Sequence, residues 1–389
     1  MDGYRLTVLP PGERESFPQF RLEDARQVRA FHETFPQYAP TPLLALPATA
    51  AELGVGGIYI KDESKRFGLN AFKVLGGSYA MGRLLSGLLG EETLLPYSAL
   101  TAPDVREKLG QLTFVTATDG NHGRGVAWVA REFGHRSVVY MPKGSVPVRL
   151  ENIRLAGAEA EITELSYDDA VRLSRANAEK YGWYIVQDTG WPGYEEVPLH
   201  IMQGYTTMGL EAWEQLPQKP THIFLQAGVG SMAAAIAALF VDLCGEEAPK
   251  IVIVEPNSAE CFYLTAHAND GQLHPVTGEM KTIMAGLACG EPCPQAWEIL
   301  RRCARYYVTC PDEAAEAGMR RLAYPKGDDP AVVSGESGAS AFGCALRILQ
   351  DLDLAPIREE LGLDGGSRLL FFSTEGDTDP ENYRRILEK

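Results

Sequence analysis

Thr113-Phe114-Val115-Thr116-Ala117, followed by Thr118-Asp119-Gly120-Asn121-His122-Gly123 and a helical pattern through Val129, is the stretch that decides the fold. The first five residues are β-branched or apolar and suit a short buried strand. The polar, glycine-bearing turn after them leads straight into a helix. The same strand–turn–helix unit recurs along the chain. Residues 137–141 precede a helix around Arg149 to Leu155, and residues 160–163 precede one from Asp168 to about Lys180. A further short strand is expected over 183–187. His222-Ile223-Phe224-Leu225 enters a helix at Ser231, Ile251-Val252-Ile253-Val254 ends at Glu255, and Leu369-Leu370-Phe371-Phe372 lies near the C-terminus. Strands alternating with helices imply parallel sheets in an α/β architecture. Two groups of units stand out, and the expected division is a small α/β domain over 80–195 and a larger one over 1–79 and 196–389. Before residue 80 only Gly57-Ile58-Tyr59-Ile60-Lys61 reads as a clear strand, too little to bury a core of its own.

Composition narrows the function. The chain has 389 residues, of which 39 are glycine, one in ten against a usual share of about 7%. No repeat accounts for the excess, so it points to tight turns and close backbone approaches. There are 36 basic and 52 acidic residues, a net charge of −16 that argues against a nucleic-acid partner. The seven cysteines are scattered, and the Cys289/Cys293 pair lacks the other ligands of a zinc site, so buried thiols and no metal are expected. The start lacks a secretory pattern. The uncharged run 221–241 is broken by Gly228-Val229-Gly230-Ser231 and is not read as a membrane span. A soluble cytoplasmic protein is the expectation.

Three segments carry chemistry. In Phe72-Lys73-Val74-Leu75-Gly76-Gly77 a lysine sits among bulky apolar residues with two glycines behind it. A lysine on an amphipathic helix usually snorkels to water. Desolvation would instead lower its pKa and make it the nucleophile that Schiff-base chemistry needs. Gln226-Ala227-Gly228-Val229-Gly230-Ser231-Met232 lies between an apolar strand and an alanine-rich helix, where free N–H groups bind anions. No Walker lysine is present. Gly228-x-Gly230-x-x-Ala233, with a strand ending at Glu255, also imitates a dinucleotide fingerprint, and the glycine loop alone does not separate the two. The third segment, 118–123, places Asp119, Asn121 and His122 where ligand contacts belong. Gly335-Glu336-Ser337-Gly338-Ala339 lacks the last glycine of a nucleophile elbow, and the last histidine is His274, which argues against a serine hydrolase.

Six ordered strings set these segments in context. They are Phe67-Gly68-Leu69-Asn70-Ala71-Phe72-Lys73, Thr118 to Gly123, Val186-Gln187-Asp188-Thr189, Ile283 to Pro292, Ser334 to Ala339 and Ser373-Thr374-Glu375-Gly376-Asp377-Thr378. Together they resemble the fold-type II pyridoxal 5'-phosphate (PLP) enzymes, the tryptophan synthase β and threonine dehydratase superfamily, and within it the diaminopropionate ammonia-lyases. The resemblance implies two open, twisted, mostly parallel-sheet domains with helices on both faces and PLP in the cleft between them. It implies that Lys73 holds PLP as an internal aldimine. It further implies that Gly228, Val229, Gly230, Ser231 and Met232 cradle the phosphate, that Asn121 bonds the ring hydroxyl, and that Gly286 faces the cofactor. Ser373, or Thr374 one residue on, would face the pyridine nitrogen. Thr118, Asp119 and Gly120 would line the substrate, with Tyr167 and Asp188 reaching it. The serine of the general dehydratase pattern is replaced by Asp119. Such a carboxylate can take a Cα proton or face a second substrate ammonium, and Asp188 can supply another negative group. The implied reaction is α,β-elimination of 2,3-diaminopropionate to pyruvate and two ammonia. With Lys73 and Asp119 as bases on opposite faces, both the D and L forms would serve. Serine or threonine dehydration, another PLP β-elimination or replacement, a dinucleotide oxidoreductase and a non-catalytic amino-acid binder are the rivals. A homodimer is the assembly that the resemblance implies.

Overall fold

Strands and helices alternate as the sequence leads one to expect. The structure, a computed structural model, describes residues 3–10, 15–118 and 120–388. Its strands are β1 (Arg5–Val8), β2 (Leu43–Ala45), β3 (Gly57–Asp62), β4 (Thr113–Ala117), β5 (Arg136–Met141), β6 (Glu159–Ile162), β7 (Tyr184–Ile185), β8 (His222–Gln226), β9 (Lys250–Pro256), β10 (Tyr306–Cys310) and β11 (Arg368–Ser373). They form a seven-stranded sheet in the order β1-β10-β9-β8-β11-β3-β2 and a four-stranded sheet in the order β6-β5-β4-β7. The smaller sheet is wholly parallel. The larger is parallel except at its two edges, where β1 and β2 run antiparallel to their neighbours. Every residue of β8 and β10 is buried, as strands covered on both faces require.

The chain forms two compact units. One comprises Met1–Leu22, Pro40–Lys65 and Met208–Lys389, and the other Glu23–Ala39 and Arg66–Thr207. These divisions differ from those expected at 80 and 195. Of the stretch before residue 80, only part packs with the seven-stranded sheet. Residues 66–79 pack instead against the helix Asn121–Glu132, where a Cβ on Gly125 would lie 3.0 Å from the Val74 nitrogen. The helix Leu22–His32 joins them through the buried His32, whose Nε2 lies 3.0 Å from the Leu75 carbonyl.

Three strands escape the sequence reading. β1 and β2 are short edge strands of four and three residues. β10, by contrast, is the β-branched and aromatic run Tyr306-Tyr307-Val308-Thr309-Cys310, a signal that was there to be used. The strand expected over 183–187 shrinks to Tyr184–Ile185. Val186 N–H still bonds the Val115 carbonyl at 2.9 Å, but at the next position the Gln187 side chain, not its backbone, meets β4.

Candidate active site

The lysine-bearing loop is built on unusual backbone. Phe67 (φ 48°), Gly68 (φ 70°) and Asn70 (φ 57°) are all left-handed, and two of the three are not glycine. Each such residue costs on the order of 1–3 kcal/mol unless its surroundings hold it. Phe67 is held by stacking on Trp128, with ring centroids 5.6 Å apart and planes at 17°, and on Phe35. Arg124 Nη1 donates to the Leu69 carbonyl at 2.9 Å. The turn ends at Lys73, which immediately precedes the helix Val74–Leu88. Gly76 does not approach a ligand: a Cβ there would meet Tyr205 Cε1 and Ile201 Cγ2 at 2.7 Å. Its smallness lets the helix Glu196–Gln215 press against the lysine helix.

Lys73 Nζ donates to Asp188 Oδ2, and only 18% of the lysine side chain and 4% of the aspartate side chain are exposed. Tyr167 Oη donates to Asp188 Oδ1 at 3.3 Å, and Gln187 Nε2 lies 3.2 Å from the same oxygen. His122 Nδ1 stands 4.0 Å from Oδ2. Its Nε2 donates to the Val186 carbonyl at 2.8 Å, which fixes that nitrogen as the protonated one, since a carbonyl only accepts. Burial of Asp188 pushes its pKa up. The Lys73 ammonium, His122 and the hydrogen bonds from Lys73 and Tyr167 outweigh that and hold it well below the usual 3.8. β4 and β7 are neighbours, so the turn after Ala117 and the Gln187–Asp188 segment emerge side by side. Lys73, Tyr167 and Asp188 are thus brought together as expected, with His122, already placed by the sequence among the ligand contacts, and with Gln187, to which the sequence reading gave no role. Thr118 Oγ1 accepts from the Gly120 amide at 2.9 Å, and Asn121 opens the helix that follows. Asp119 lies outside the described residues.

The glycine loop belongs to the other unit. Gly230 (φ 91°) caps the helix Ser231–Cys244, and the first-turn amides of such a helix point out of its start. A Cβ on Gly228 would lie 2.9 Å from the Gly286 carbonyl and 3.1 Å from Cys289 Sγ, so the 283–292 string packs directly on this loop. The Gly286 amide in turn donates to Ser337 Oγ at 3.1 Å. Beside β8, the end of β11 presents both candidate hydroxyls. Ser373 Oγ donates to Ser334 Oγ at 2.8 Å, and Thr374 Oγ1 accepts from Gln226 Nε2 at 3.0 Å. Amides at a 14-residue helix start, glycines that let the backbone come close and no lysine in the loop fit a monophosphate group.

The dinucleotide reading fails on Glu255. Its Oε1 accepts from the Phe262 amide at 2.9 Å and its Oε2 from the Tyr263 amide at 2.7 Å, and the residue is 1% exposed. Burial pushes its pKa up to about 8 against those hydrogen bonds. A carboxylate so engaged is not available to a ribose. Among the described residues no cluster of three or more His, Cys, Asp or Glu side chains is placed to hold a metal, all seven cysteines are buried, and no helix is long and apolar enough to cross a membrane.

A buried amine against a carboxylate, and a glycine loop opening a helix whose start suits a monophosphate, are features a PLP enzyme needs. The family model described as pyridoxal-phosphate dependent enzyme matches residues 34–356. The chain belongs to that family. It is 50% identical to the diaminopropionate ammonia-lyase of Salmonella typhimurium, over 93% of this chain and 91% of that protein. The crystal structure of diaminopropionate ammonia-lyase from Escherichia coli in complex with D-serine is similar with a TM-score of 0.92 at 43% identity, covering 99% of this chain and 96% of that one. The same enzyme in complex with an aminoacrylate-PLP azomethine reaction intermediate gives 0.90 at 42%, with the same coverage. Both neighbours carry the fold-type II architecture that the ordered strings imply.

Proposed function

We propose that this protein is a PLP-dependent ammonia-lyase that converts 2,3-diaminopropionate and one water to pyruvate and two ammonia. The observation that carries the reading is the buried Asp188 carboxylate held against the Lys73 amine. A serine or threonine dehydratase handles one ammonium and a neutral hydroxyl, whereas diaminopropionate brings a second cation to be recognised. Lys73 holds the cofactor, the Gly228–Met232 loop takes its phosphate, Asn121 its ring hydroxyl, and Ser373 or Thr374 its ring nitrogen. Bound PLP supplies the electron sink that makes the substrate's Cα proton acidic and its β-substituent a leaving group. Lys73 Nζ takes the Cα proton on one face, and the ionised Asp188 Oδ2 beside it stabilises the ammonium that forms. Tyr167, with the shared second hydrogen of Gln187 Nε2, holds Asp188 Oδ1, leaving Oδ2 for Lys73. Asp119 is the base for the opposite face, so both enantiomers are substrates. The enzyme works as a cytoplasmic homodimer, the assembly that the family resemblance implies.

The decisive assay supplies diaminopropionate or serine to the purified PLP-loaded protein and counts ammonia and pyruvate. Two ammonia per pyruvate from diaminopropionate, at a kcat/KM at least tenfold above that for serine, is expected. Preference for serine would transfer the protein to the dehydratases.

A further inference from the structure

We propose that Gln187 is a positioning residue that ties the backbone leading into the Thr118–Gly123 turn to the Tyr167 hydroxyl and the Asp188 carboxylate, and so keeps Tyr167 donating to Asp188. This rests on the reading of Asp188 as part of the reactive site. The side chain is completely buried. Its Oε1 accepts from the Ala117 amide and from Thr116 Oγ1, each at 2.9 Å, and its Nε2 donates to the Ala117 carbonyl at 3.1 Å. The amide thereby does what a strand backbone would do, filling the ladder position where β7 has already ended. Those contacts also fix its orientation. Turned over, it would set donor against donor at the Ala117 amide and acceptor against acceptor at the carbonyl.

With the orientation fixed, Nε2 has one hydrogen left, which Tyr167 Oη at 3.0 Å shares with Asp188 Oδ1 at 3.2 Å. A phenol oxygen that accepts from Gln187 must send its own single hydrogen elsewhere, and Asp188 Oδ1 stands 3.3 Å off. The direction of donation runs from Gln187 to Tyr167 to Asp188. A second brace acts on the backbone: the Gln187 N–H donates to Tyr194 Oη at 2.8 Å, and Tyr194 Oη donates to the Ile185 carbonyl at 3.0 Å. Gln187 is therefore gripped at both its main chain and its amide. Ala117 ends β4 directly before Thr118, so one side chain ties that strand end to the segment that carries Asp188.

Among the described residues the titratable groups facing Asp188 include Lys73, His122, Tyr167, Tyr194 and Tyr205. None of them replaces the donation that Gln187 directs. Gln187→Met keeps the length and removes both polar atoms. Tyr167→Phe removes only the last donor in the series and spares the Gln187–Ala117 pair. The test titrates the Asp188 carboxyl by carbon-13 NMR in the cofactor-free protein, with its signal assigned by its absence in Asp188→Asn. In Gln187→Met the Asp188 midpoint is expected to rise by about one pH unit, in Tyr167→Phe by less, and in the double variant no further than in Gln187→Met. In the PLP-loaded enzyme kcat falls about tenfold in Gln187→Met, while KM changes less than about threefold. A residue that merely packs would lower the unfolding midpoint and leave the Asp188 titration where it was. A folded Gln187→Met with an unmoved Asp188 midpoint overturns the proposal. Should that variant not fold, an unmoved midpoint in Tyr167→Phe overturns it instead, and a raised one supports it. The titration needs no turnover, so a parent enzyme inactive on diaminopropionate would sink the reading of the activity and leave this result standing on its own.

Discussion

Removing either end of the Lys73–Asp188 pair from the cofactor-free protein should give opposite pH dependences. At hydrogen-bond contact and an effective dielectric constant of about 20, two unit charges attract by ~5 kcal/mol. Lys73 keeps 18% of its side-chain surface exposed, and solvent there reduces the coupling to ~3 kcal/mol. The three variants Lys73→Ala, Asp188→Asn and the double form a cycle whose non-additive part is that coupling. The sign follows from the direction of the Asp188 shift. In the parent its pKa lies below the usual 3.8, so its contribution is complete above that pH and is lost as the pH falls through the folded value. In Lys73→Ala the largest attracting charge is gone and burial raises the pKa. The contribution is then present below 3.8 and lost as the pH rises. Measured against the double variant, Lys73→Ala should be relatively more stable at pH 4 than at pH 7, and the parent's advantage over Asp188→Asn should shrink only in strong acid. Urea unfolding followed by tryptophan fluorescence suits the measurement, because the buried Trp128 stacks on Phe67 within the same unit. Additive losses in the double variant, or a Lys73→Ala curve parallel to the parent's, would refute the pair as a charged contact.

Two further outcomes are open to measurement. Asp119→Asn should depress turnover of D-diaminopropionate at least tenfold more than that of the L form, and equal losses for both would end the two-base scheme. Gly76→Ala should destabilise the protein by about 1–3 kcal/mol, because its methyl would meet Tyr205 Cε1 and Ile201 Cγ2 at 2.7 Å, and a thermal shift of less than a degree would show that the helices yield freely.

Of the strands buried on both faces, all but β10 were legible. β4, β5, β8, β9 and β11 are continuous apolar or β-branched runs, and each appears within a residue or two of its expected place. β1 and β2 were not, since a three- or four-residue edge strand pairs on one side and leaves little pattern. Lys73 and Asp188 were legible through ordered motifs, Tyr167 was named from outside them, and the structure adds the physical contact among the three. Gln187 stood in a quoted string without a role, because its work depends on pairing with the backbone of Ala117, 70 residues away. Glu255 shows the converse. Its spacing from the glycine loop imitates a ribose ligand, and only the two amides that occupy its oxygens reveal a helix-starting anchor.

The pairing of β3 with β11 has a consequence for synthesis. Gly57–Asp62 is made early, and its parallel partner, Arg368–Ser373, is made almost last. Until then β3 has β2 on one edge and open hydrogen-bonding groups on the other, the state in which strands invite unwanted partners. The unit that carries Lys73 needs nothing beyond Thr207. As a nascent chain leaves the ribosome, Lys73 and Asp188 can consolidate while the large sheet still waits for β11 between β8 and β3. Removing β11 therefore also strips β3, made long before it, of its parallel partner.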